Sequence, residues 1–172
     1  MASPSCVGDA GGARSDTTIT IMVAGQKHHT CVAVWMERAA EGLPAEKLLQ
    51  LFEQGFGAIW VRAQLALGEV TLTAIADRAL YVATARYPYL GGVKVVAGAL
   101  LCGELKERAA SLHHRQLVEA IGFVLVEFLT VLGKLTAEVL TPALHAALLD
   151  ATGESGLLDC NDVTNAGAAQ SR

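Results

Sequence analysis

Charge is scarce in this chain. Asp, Glu, Lys and Arg make up 17% of its 172 residues, and the formal net charge is −4. That balance supplies no general attraction for nucleic acid or an anionic membrane, so neither is an expected partner. Cysteine pairing is also missing. Cys6, Cys31, Cys102 and Cys160 stand far apart, without CxxC or another tight metal-binding spacing. Cys31 and Cys102 lie in apolar surroundings and read as small buried hydrophobes, and a reducing cytoplasm is the expected setting. The first residues, MASPSCVGDAGGARSD, lack the basic start and apolar core of a secretory signal. No GxGxxG follows a strand, and GxxxxGK[ST], HExxH and GxSxG are absent. The expectation leans away from an enzyme, with no cofactor, and no internal repeat or second-domain boundary is visible.

What is abundant is apolar side chain, at 52% of the residues. The chain is long enough for one domain with a real core. With so few charges, part of its surface is expected to be hidden in a homo-oligomer. Residues 1–16 and 153–172 are poor in large apolar groups and read as flexible tails around a globular domain at 17–152.

The organising stretch is HRQLVEAIGFVLVEFLTVLGKLTAEVL at 114–140. At about 100° per residue, Gln116, Glu119, Glu127, Thr130, Lys134 and Glu138 gather into one narrow stripe, and nearly all the rest is apolar. A helix with so little wet circumference is a central element or an oligomer seam. A membrane span needs about 20 predominantly apolar residues, and Glu119, Glu127, Lys134 and Glu138 interrupt the run, so no span is expected. Beside the stripe, Gly122, Val126, Gly133 and Ala137 form a ridge of mostly small residues that admits another helix closely. Phe123 stands inside the stripe as a candidate partner contact. These five residues are the expected protein interface.

Earlier in the chain, 17–24 and 30–36 are rich in β-branched residues around Gly25-Gln26-Lys27-His28-His29 and read as a hairpin. A helix over 32–41 is the competing reading. Pro44 opens a helix over 44–67, with Gly68 as its C-cap. Thr71 or Thr73 caps a third helix over 72–86, and 93–101 reads as a strand weakened by Gly98. A charged helical piece follows at 104–110, and Thr141-Pro142 opens a last helix at 142–151. The expected fold is therefore α+β, a small antiparallel sheet of about three strands (17–24, 30–36, 93–101) against a helical layer. All-α is the alternative.

Candidate chemistry is thin. His28, His29 and Cys31 lie close in sequence, but on a strand neighbours point to opposite faces, so no metal site is built from them. His113-His114 starts the long helix and has no acidic neighbour. His145 follows Glu138 by seven residues, yet Thr141-Pro142 breaks the helical register, so they are not paired either. Arg62 projects toward the apolar side of its helix, where it buries its stem or pairs with Glu127 or Asp77. Glu127 is flanked by apolar residues, and cover by another helix would raise its pKa.

Two functions are expected from this pattern. The first is a non-catalytic cytoplasmic regulatory or scaffolding module that self-associates through the long helix and binds a protein partner. The second is a sensor holding a small apolar ligand between sheet and helices, with Trp60, Arg62, Tyr81 and Glu127 as its polar fixtures.

Overall fold

The computed structural model describes residues 15–151, with side chains described from Gly25 onward. Among the described residues, six α-helices and one short, largely exposed hairpin follow in the order α1 (Ser15–Ala39), α2 (Ala45–Leu67), α3 (Glu69–Arg86), β1 (Lys94–Val96), β2 (Ala99–Leu101), α4 (Gly103–Ala109), α5 (His114–Leu135) and α6 (Thr141–Asp150), with a 3₁₀ turn at Pro88–Gly92. The fold is α+β and mostly helical. Both expected tails lie largely or wholly outside the described residues.

The hairpin expected over 17–36 is a correction: that stretch belongs to the single helix α1. Burial explains it. His28, Cys31, Val32, Trp35 and Met36 are buried, a period near 3.6 rather than 2. Packing of that stripe against α5 and α6 outweighs a β-branched composition, because strand propensity is a weak, context-dependent preference. Gly25 lies inside the helix instead of in a turn.

The third expected strand is two strands. The chain reverses at Ala97 (φ 48°) and Gly98 (φ 80°), and Lys94, Val95 and Val96 pair antiparallel with Leu101, Leu100 and Ala99. Two successive positive φ values are what a tight two-residue hairpin turn requires. Gly98 is therefore the turn and not a weak point in a longer strand. It also lies over Trp60, so that a Cβ there would fall 2.5 Å from the indole Nε1.

α2 starts after Pro44 and ends at Gly68, as the sequence implies. Gly68 also opens α3, which begins at Glu69 and not at a threonine cap. Thr73 donates its hydroxyl to the Glu69 carbonyl at 2.9 Å instead.

α5 is the centre. Leu117, Ile121, Val124, Leu125, Phe128, Leu129 and Leu132 are wholly or almost wholly buried, against α1, α2, α3 and α6. Phe128 stacks on Phe56 of α2 with ring centroids 4.8 Å apart. By length and apolarity α5 could cross a membrane, but half of its most apolar stretch is buried inside this fold.

The helix ends at Leu135, five residues before the expected Leu140. The Glu138 amide donates to the Gly133 carbonyl at 2.8 Å and the Ala137 amide to Lys134 at 3.5 Å. This is a Schellman closure, with Ala137 holding the left-handed position (φ 48°) that glycine usually takes. Glu138 is also left-handed, at φ 63°. The closure folds Glu138 back onto Gly133, so that a Cβ there would lie 2.7 Å from Glu138 Oε1 and the carboxylate would have to shift. Ala137 therefore leaves the expected ridge, and Gly133 serves this turn rather than a second helix.

Candidate functional site at the junction of α1, α6 and the α5–α6 turn

His28 is fully buried on α1. Its Nδ1 lies 2.8 Å from Nε2 of His145, on the second turn of α6, with the rings edge to face and their centroids 5.0 Å apart. Its other nitrogen, Nε2, has no hydrogen-bond partner and faces Glu138 Oε2 at 3.7 Å. That oxygen accepts a hydrogen bond from the Thr141 hydroxyl at 2.6 Å. Thr141 thus anchors the carboxylate with the side chain that was expected to cap α6.

Two imidazoles sharing one hydrogen bond need one donor and one acceptor. If His28 gave its Nδ1 proton, its buried Nε2 would aim a lone pair at a carboxylate. The opposite arrangement has the lower electrostatic energy: His145 Nε2–H donates to His28 Nδ1, and His28 Nε2–H points at Glu138. The carboxylate fixes the tautomer of the first ring, and that ring fixes the second.

Burial is the main cause holding the pKa of His28 below its ordinary 6.5, with Lys27 adding to it and Glu138 opposing. Burial also leads for His145, followed by His28 and Lys27, again against Glu138. Both are therefore neutral at pH 7. Because the folded values lie below the unfolded ones, the unfolded chain binds the extra protons as pH drops below about 6.5. The stability present above that pH is then lost as pH falls through the folded values, with a slope of at most about 1.4 kcal/mol per pH unit for each ring. Urea unfolding followed from pH 7.5 downward will show this decline, and a His28→Phe, His145→Phe double variant will flatten it. An equal decline in both proteins would contradict it.

His145 lines a cleft of about 700 Å³ together with Gln26, Lys27, Thr30, Cys31, Val34, Glu138, Thr141, Pro142 and Leu149. At the far end of α6, Trp35 Nε1 donates to the Ala151 carbonyl at 3.1 Å, tying α6 to α1 by a second hydrogen bond. Burial raises the Cys31 thiol, so it stands in the wall as a thiol rather than an activated thiolate. The buried Cys102 is pushed up to about 12, chiefly by burial and then by Glu53. Among the described residues, no group of three or more His, Cys, Asp or Glu side chains is placed to hold a metal.

Of the expected interface residues, Gly122, Phe123 and Val126 come together. They line a groove of about 540 Å³ with His29, Val32, Ala33 and Met36 of α1, and with Arg86, Tyr87, Val118 and Glu119. A Cβ on Gly122 would lie 3.9 Å from Val32 Cγ1. The close-approaching helix is thus this chain's own α1. Phe123 meets Tyr87 edge to face at 5.8 Å, beneath the Arg86 guanidinium at 5.1 Å.

The expected ligand fixtures do not converge. Trp60 is buried beside Phe56 and under the hairpin turn, Tyr81 is exposed, Arg62 is exposed on α2, and Glu127 is half-buried on α5. Among the described residues Arg62 forms no ion pair with Glu127 or Asp77. His113 and His114 are exposed at the start of α5.

The sequence alone does not bring His28, Glu138 and His145 together. Read as a helix, 28–31 would have put His28 and Cys31 on one face, which was the available signal. His28 and His145 are 117 residues apart, a distance that no spacing rule spans. No protein-family model matches the chain, and no curated protein or solved structure matches it.

Proposed function

We propose that this chain is a non-catalytic regulatory module that senses a small, largely apolar ligand bound in the cleft between α1 and α6. The observation that supports this reading is a cleft of ligand size, about 700 Å³, with His145 of an ordered imidazole pair in its wall. Recognition sites of this kind combine apolar walls with a few fixed polar atoms. The cleft lies between two helices rather than between sheet and helices. Its wall can transmit occupancy, because Glu138, Thr141 and His145 belong to the turn and helix that α5 leads into. The two thiols with raised pKa offer no activated nucleophile, which favours binding over catalysis. The cytoplasmic setting expected from the cysteine spacing is retained.

A second reading is the scaffolding module that self-associates and binds a protein partner. The buried face of α5 is engaged within the chain, and this reading draws also on Val61 and Leu65, one turn apart on α2, and Val70 at the start of α3, all exposed. Native mass spectrometry of the freshly purified full chain separates the two readings. The sensor reading expects a single chain carrying a retained small molecule. A bare chain that forms dimers or larger species would favour the scaffold and count against the sensor.

A further inference from the structure

The protonation order of the imidazole pair narrows the ligand class. In the favoured arrangement His145 Nε2 is committed to His28. The nitrogen left over is Nδ1, which in that arrangement carries a lone pair. His145 is half-buried in the cleft wall, and among the described residues its hydrogen bond runs through Nε2. The two threonine hydroxyls of the cleft lining are already engaged: Thr30 donates to the Gln26 carbonyl at 2.9 Å, and Thr141 donates to Glu138. Beside the imidazole the cleft wall holds both the Glu138 carboxylate, at 35% side-chain exposure, and Lys27. A charged ligand head would therefore meet a like charge whichever its sign. A ligand that donates a proton into a hydrogen bond would meet a matching lone pair in an apolar wall.

From this we infer that the cleft selects small apolar molecules carrying one neutral hydroxyl, of the phenol or alcohol class, whose O–H donates to His145 Nδ1. The inference rests on the ligand-binding reading above and adds its specificity. It makes His145 the residue that selects the ligand and His28 with Glu138 the positioning residues that leave its Nδ1 a lone pair. Lys27 and His28 on α1, and Glu138 and Thr141 in the turn, are the charged and polar groups around it. Acidification should erode the preference for a hydroxyl over an ether, because a protonated Nδ1 becomes a donor from which either oxygen can accept.

Phenol and its methyl ether anisole share a ring and differ in the donor, so NMR titration of the full chain with each is the test. Phenol is expected to bind about two- to tenfold more tightly, the scale of one neutral hydrogen bond. His145→Phe is expected to abolish the preference for phenol over anisole. Nitrogen-15 spectra of the wild-type imidazoles provide a readout that needs no variant: His145 should be protonated at Nε2 and bare at Nδ1. Equal affinities for phenol and anisole, or a protonated Nδ1 in the neutral ring, would overturn the hydroxyl inference and leave ligand binding standing. Failure of both probes to bind at millimolar concentration would overturn the two together.

Discussion

Replacing Phe128 with alanine will cost about 3–5 kcal/mol of folding stability. The side chain is fully buried at the middle of α5 and stacks at 4.8 Å on Phe56 of α2. Its removal takes away the transfer free energy of an aromatic ring and leaves a cavity between two helices that cannot easily collapse onto each other. For a domain whose total stability is on the order of 5–15 kcal/mol, that is a large share. Urea unfolding followed by circular dichroism will report it as a lower midpoint with little change in slope. Val126→Ala on the same helix, at a half-exposed position, should cost about 1 kcal/mol or less. Comparable losses from the two would mean that α5 is not the central element described.

The second large effect concerns binding. Val34 lines the cleft on α1 and is only half-buried, so a larger side chain there can occupy the space a ligand would take without disturbing the core. Val34→Trp is expected to lower phenol affinity by at least about tenfold, the loss of roughly 1.4 kcal/mol or more, with unfolding stability near that of the wild type. The opposite pattern, a destabilised protein that still binds, would place the ligand elsewhere.

How much of this was legible in the sequence follows from the physics of each element. α2 and α5 declared themselves because their apolar residues recur with helical period and proline or glycine marks an end. α1 did not, since Thr17, Thr18, Ile19 and Thr20 carry strand-like character and the deciding burial stripe is defined only by packing against α5 and α6. The β-hairpin was hidden because alanine stands at the first of its two positive-φ positions, where sequence reading looks for asparagine, aspartate or glycine. The early end of α5 was hidden for the same reason, Ala137 holding a glycine-type position.

That closure is also why the site escaped notice. In sequence, the break at Thr141-Pro142 separates Glu138 from His145. The turn instead folds the two together around His28, using the space that Gly133 leaves open. The groove at Gly122, Phe123 and Val126 was partly visible as a small-residue ridge. That α1 of the same chain would fill that side depended on recognising α1 as a helix.

The central claim is that the cleft between α1 and α6 is a ligand site. Amide NMR titration of the full chain with phenol, run beside the Val34→Trp variant, tests it most directly. The account predicts shifts concentrated at Gln26, Lys27, Thr30, Cys31 and Val34 and at Thr141, His145 and Leu149, and their disappearance in the variant. Shifts centred on other residues, or shifts unchanged by the tryptophan, would contradict it.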